Sequence, residues 1–134
     1  METLVGLSAI CIASETFARN FTKEENAERA VEKLFMKGKL VAAVTLGDKG
    51  VVAMTKDGVI NKSAFKVPVV DTTGAGDVFH GAFAYAYIQG WDTGKCIDFA
   101  EAAAAIKCTR LGGRTGIPQR DEVIRFLKEK DIMI

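Results

Sequence analysis

Asp71-Thr72-Thr73-Gly74-Ala75-Gly76-Asp77 joins an extended apolar segment, ending near Val70, to a helical run that opens at Gly76. Two glycines and an alanine in a strand-to-helix turn let the backbone approach a ligand closely. The N–H groups of the first helical turn have no partner inside the helix, and the helix dipole adds a field that favours negative charge. Such a turn is an anion site suited to phosphate. Asp77 is out of place there, because a carboxylate repels a phosphate. It has a use only if it acts on another reactant, for example by accepting the proton of an attacking hydroxyl. The residues alone also allow a plain turn, with Asp and Thr as caps and Gly supplying positive φ. The segment is not the GxxxxGK[ST] loop of the common nucleoside-triphosphate binders.

Working outward, Val78, Phe79, Ala82, Phe83, Tyr85, Ala86 and Ile88 are apolar nearly all round the helix, which predicts deep burial. Gly90 stops it. Asp92 or Thr93 caps a second helix to about Thr109, with an alanine-rich middle that permits close packing. Leu111 to Gly116 is a glycine-rich loop, and Pro118 leads into a last helix over 120–130. Upstream, Leu7 to Ala13 reads as a strand. Thr22 and Glu25 have capping-box spacing for a helix to about Lys37. Leu40 to Leu46 suits a parallel strand covered on both faces. Val51 to Thr55 is a strand, Lys56-Asp57-Gly58 a hairpin turn, and Val59-Ile60 and Ala64 to Val70 continue as short strands, with Pro68 at an edge or bend. The sum is a single α/β domain over 1–134 with a mixed sheet.

Composition excludes several functions. Eighteen basic and 17 acidic residues leave a net charge of +1, so no electrostatic argument favours nucleic acid or an anionic membrane. Cys11, Cys96 and Cys108 form no CxxC pair and read as small buried thiols. A single histidine argues against a zinc site. The apolar stretch near the start lacks a basic leader and is too short to span a bilayer, which points to a cytoplasmic protein with reduced thiols. His80, three residues past Asp77, reads as packed beneath the turn. Trp91, Tyr85 and Tyr87 read as core or interface.

Asp71 to Ala84 (DTTGAGDVFHGAFA) resembles the C-terminal signature of the ribokinase, or PfkB-type carbohydrate kinase, family. The resemblance implies that Asp77 is the catalytic base on a sugar or nucleoside hydroxyl. It implies that the N–H groups of Gly74, Ala75 and Gly76 form an anion hole for the transferring phosphoryl group. Thr45-Leu46-Gly47-Asp48-Lys49-Gly50, 26 residues before Asp71, resembles the family's nucleotide segment. Thr45 and Gly47 would line the ATP phosphates and ribose, and Gly50 would permit the turn. On its own this strand-to-hairpin join is common. Cys108 to Gly113 resembles the loop that closes over the adenine, with Gly112 on the nucleotide; a plain helix C-cap fits the same residues. Carbonyls of that loop and of residues matching Asp71 and Thr73 are implied to hold a monovalent cation, K⁺ or Na⁺.

The resemblance implies ATP and Mg²⁺ as cofactors and a ribokinase-like three-layer sandwich, of which this chain matches the C-terminal, nucleotide-binding half. One departure stands out. The family's Asn-x-x-Glu motif, linked to Mg²⁺, falls at Ser14-Glu15-Thr16-Phe17, where Ser replaces Asn and Phe17 the acid. Family members are roughly twice this length, and their first half supplies the sugar site. The expectation is therefore a homo-oligomer, or a chain that needs the missing half from elsewhere, because open apolar strand edges invite pairing. Three activities follow: a sugar kinase or its catalytic half, a nucleotide-binding or regulatory module without catalysis, or an assembly domain.

Overall fold

The structure, a computed structural model, describes residues 1–134 and organises them into two compact units, Met1–Ser63 and Ala64–Ile134. The first unit opens with α1 (Glu2–Leu7) and β1 (Ile10–Ser14), followed by α2 (Glu15–Thr22) and α3 (Ala27–Phe35). β2 (Val41–Thr45), β3 (Val51–Thr55) and β4 (Gly58–Lys62) complete a four-stranded sheet in the order β1-β2-β3-β4. β1 and β2 are parallel, with Ile10 opposite Val41 and Ser14 opposite Thr45, and the helices α2 and α3 make the crossover. β2, β3 and β4 are antiparallel neighbours, so the sheet is mixed as expected. Cys11, Ala13, Ala42, Val44, Val52 and Met54 share one face by the two-residue period of a strand. They pack against Ala18, Ala30, Val31 and Leu34 of the helices, with Val5 of α1. Val41 to Val44 are all buried, as a continuous apolar run requires.

Three readings of this unit need correction. The chain enters β1 three residues later than Leu7, because Glu2–Leu7 is helical and leaves Leu7 82% exposed. Thr22 does not cap a helix but ends one: its hydroxyl donates to the Ala18 carbonyl at 2.7 Å and accepts from the Glu24 N–H. The cap of α3 is Asn26, whose side chain accepts from the Arg29 N–H at 3.1 Å, and Glu25 instead pairs with Arg19. The helix α2, unforeseen from the sequence, is capped by Ser14, whose hydroxyl accepts from the Phe17 N–H.

The second unit is helical: α4 (Ala75–Ile88), α5 (Thr93–Cys108) and α6 (Arg120–Glu129). α5 is its axis. Asp92 caps it by accepting from the Lys95 N–H at 3.0 Å, and Ala100, Ala102, Ala103 and Ala105 are buried where α4 and α6 pack on it. Small side chains here allow the close approach that the alanine run predicts. Phe99 of α5, Tyr85 of α4 and Trp91 form an aromatic cluster with centroids 5.4–6.3 Å apart. Glu122 accepts from the Gln119 N–H to close the first turn of α6, whose Val123 and Leu127 are buried.

Two expectations fail here. Ala64 to Val70 is not a strand. Pro68 has no N–H to give a ladder, and the Val70 N–H goes to the Cys108 carbonyl at 2.7 Å instead. α4 is apolar all round but buries only Phe79, Phe83 and Ala86. Ile88 is 80% exposed, because α5 covers one side of the helix alone. Cys96 is buried as expected, whereas Cys11 and Cys108 are half-buried.

Candidate functional site

Asp71 is the knot of the glycine turn. Its N–H donates to the Cys108 carbonyl at 3.1 Å, tying the turn to the C-terminal end of α5. Its carbonyl accepts from Lys107 Nζ at 2.7 Å. One carboxylate oxygen accepts from the Thr73 N–H and the other from the Gly112 N–H, both at 2.9 Å. These bonds, with the Thr73 hydroxyl, hold the Asp71 carboxyl down to about 2, since each favours the charged form. Three polar atoms of one residue thus fix the turn to α5 and to the loop that follows it, and the fourth closes the turn on itself.

Gly74 is the N-cap residue of α4, left-handed at φ 76°. A Cβ there would lie 3.3 Å from the Gly113 carbonyl oxygen, and one on Gly113 would lie 3.3 Å from Thr73 Cγ2. The turn and the 112–113 loop therefore pack closely, and the backbone contact together with the left-handed φ explains Gly74. Gly76 differs: a Cβ on it would meet nothing within 4 Å, so its small size leaves open space above the helix start. The Val78 N–H bonds to the Gly74 carbonyl and the Ala75 N–H to that of Thr72 at 3.1 Å. The N–H groups of Gly74, Gly76 and Asp77 have no acceptor in the protein. These are orphan donors at the positive end of a 14-residue helix.

Asp77 lies in the first turn of α4 and is exposed. It shares with Gly74 a cleft of about 500 Å³ that is also lined by Arg114, Tyr85, Phe99 and Pro118. A carboxylate, a guanidinium and a free-amide turn thus face one concave space with an aromatic wall. Arg120 lines it too, held by the Tyr85 hydroxyl at 2.9 Å. His80 is exposed, not packed beneath the turn. Its Nδ1 lies 2.7 Å from the Gly76 carbonyl, which makes that nitrogen the protonated one and braces the glycine.

The segment Thr45 to Gly50 belongs to the first unit. Thr45 ends β2 beside Ser14 at the carboxyl ends of the parallel pair, and its hydroxyl donates to the Ala13 carbonyl at 3.4 Å. Ligand sites in open α/β sheets form at such strand ends. Gly47-Asp48-Lys49 make a 3₁₀ turn, with φ of 61° at Gly47 and 102° at Gly50, closed by the Leu46 N–H on the Gly50 carbonyl at 2.8 Å. Leu46 packs into the core, while Asp48 and Lys49 are exposed.

The structure therefore brings Asp71, Thr73, Gly74, Ala75, Gly76, Asp77 and Gly112 together. Lys107, Arg114 and Arg120 join them without having been singled out from the sequence. A lone Lys in the run Ala102 to Cys108 was the available signal for the first. No group of three His, Cys, Asp or Glu side chains could hold a metal, and Glu15 is paired with Arg19 at 3.1 Å. No helix is long and apolar enough to cross a membrane.

Residues 1–120 match the pattern of the pfkB family carbohydrate kinases. The chain is 35% identical over 132 residues to a ribokinase of Haemophilus influenzae, covering 95% of this chain and 43% of that protein. Among solved structures, the ribokinase of Thermotoga maritima superposes with a TM-score of 0.85 at 40% identity, over 96% of this chain and 45% of that one. The Arabidopsis thaliana ribokinase complexed with ribose and ATP gives a TM-score of 0.86 at 33% identity, over 96% and 43%. The chain spans less than half the length of the curated relatives it matches. The fold is ribokinase-like, and this chain belongs to the pfkB family of carbohydrate kinases.

Proposed function

We propose that this chain carries the nucleotide-binding and catalytic part of an ATP-dependent kinase that phosphorylates a sugar hydroxyl. The observation that supports it most is the pairing of Asp77 with the unpartnered Gly74 N–H in one cleft, with the Gly76 N–H also unpartnered in the same first turn of α4. Asp77 accepts the proton of the acceptor hydroxyl. The oxygen forms a bond to the γ-phosphorus of ATP as the bond to the bridging β,γ-oxygen breaks, and ADP leaves with the electron pair. The phosphoryl oxygens, where charge spreads in a loose transition state, meet the Gly74 and Gly76 amides and the helix dipole. The Ala75 N–H joins them by giving up its bond to Thr72. A loose transition state asks the base mainly to orient the hydroxyl.

Thr45, Leu46, Gly47, Asp48, Lys49, Gly50 and Gly112 serve the nucleotide in this reading. The Arabidopsis relative, crystallised with ribose and ATP, supports both ligands. Mg²⁺ would be carried on the nucleotide phosphates, neutralising their charge, because the chain offers no three-ligand cage. K⁺ or Na⁺ at Asp71 and Thr73 meets an Asp71 carbonyl that already accepts from Lys107.

Asp77→Asn tests the assignment. Phosphoryl transfer should fall at least 10²–10⁴-fold (about the range for a positioned base), while calorimetric affinity for an ATP analogue stays within a few-fold. Retained transfer refutes the role of Asp77. A second reading, a nucleotide-binding module without catalysis, is favoured by one observation: Ser14 is spent as a helix cap and Glu15 in an ion pair, leaving that segment no acid for Mg²⁺. Nucleotide binding with no turnover across a panel of sugars would favour it.

A further inference from the structure

Lys107 is completely buried, yet it is a lysine in the last turn of an alanine-rich helix. A buried ammonium is costly unless it is fully engaged, so a side chain kept there has a task. Its Nζ donates to the Asp71 carbonyl at 2.7 Å. The neighbouring atoms of the same knot are the Cys108 carbonyl, which accepts from Val70 and Asp71, and the Asp71 carboxylate, which spans Thr73 and Gly112. A positive charge thus sits where the negative end of α5, a carboxylate and a turn carbonyl converge.

We infer that the Lys107 ammonium is a built-in monovalent cation that sets the Asp71–Gly74 turn against the 112–113 loop, in place of K⁺ or Na⁺. The Asp71 carbonyl cannot serve an alkali ion while it accepts from Lys107, and two cations on one oxygen would repel at short range. A tethered ammonium also costs no ion-binding equilibrium, so the turn is preorganised at any salt composition. Lys107 is on this view a positioning residue: it acts on the phosphate site through Asp71 and touches no reactant. The inference rests on the reading of that turn as the phosphate site.

The test compares KCl, NaCl, NH₄Cl and choline chloride at equal ionic strength. Two readouts are taken: the melting midpoint without ligand, and calorimetric affinity for a non-hydrolysable ATP analogue with Mg²⁺. Wild type should show the same midpoint and affinity in all four salts. Lys107→Ala, which removes the charge and leaves room, should lose several degrees and about tenfold in affinity in choline chloride. It should recover part of both in NH₄Cl or KCl. Lys107→Met fills the space and should lose both without recovery, while Lys107→Arg should keep the salt-independence. A selective rise of the wild-type midpoint in K⁺ overturns the inference, as does a Lys107→Ala protein unchanged in choline chloride. If wild type binds no ATP analogue in any salt, the kinase reading fails while the midpoints still decide the role of Lys107. If Lys107→Ala does not fold, the wild-type salt series decides it alone.

Discussion

Asp71 spends its backbone N–H, its carbonyl and both carboxylate oxygens on one junction. Its carboxyl is held at about 2, against an unfolded value of about 3.9. A depressed carboxylate pKa gives stability that is complete above the unfolded value and is lost as pH falls through the folded one. Wild type should therefore lose melting midpoint between about pH 4 and pH 2, and Asp71→Asn should lose less across that window. Glu101 works in the opposite sense. Burial, with Asp98 nearby, lifts it to about 7, so its contribution weakens folding as pH rises from about 4.3 to 7. Glu101→Gln should flatten that upper slope in the same melting series. At this scale the sequence was informative where a motif is dense. Asp71 to Asp77 was legible as an anion turn with a base, and the structure adds the reason for Gly74 in its contact with Gly113. Lys107 was not legible, because a single lysine in an apolar helix reads the same whether its head snorkels to water or is buried.

Element ends were harder to read than element cores. Val51–Thr55 and Thr93–Cys108 fall where pattern and capping residue predict them. The helix α3 is capped by Asn26 and not by Thr22 because capping-box spacing at Thr22 and Glu25 is a local signal only. Tertiary packing chose between them by placing Ala30, Val31 and Leu34 on the sheet. The two assignments make different demands on stability. Asn26→Ala should cost about 1 kcal/mol in urea unfolding. Glu25→Ala should cost less than about 0.5 kcal/mol, since its pair with Arg19 is a surface one. A capping box at Thr22 would reverse that order. The helix α4 departs from its pattern for a different reason. Its apolar circumference predicts burial on all sides, and the structure covers only the side bearing Phe79, Phe83 and Ala86.

For the whole molecule, the mixed α/β sheet was visible in the order of apolar runs, whereas the division into units 1–63 and 64–134 was not, because no linker composition marks residue 63. Uncovered apolar side chains remain in both units: Leu4 and Leu7 in the first, Val69, Val70 and Ile88 in the second. Scattered singly such residues are ordinary, but a bare apolar helix side is a surface that seeks a cover. We propose self-association or a partner on that ground. Size-exclusion chromatography with light scattering should return a mass above that of one chain, or a heterogeneous peak, and a clean monomer at all concentrations would count against it. The aromatic cluster in the second unit has a practical consequence. Trp91 is the sole tryptophan, and the two rings that flank it, Tyr85 and Phe99, form part of the cleft wall next to Asp77. Whatever enters that cleft touches rings packed on a single indole, so a change in the protein's own fluorescence should report occupancy, with the probe already in place and no added dye.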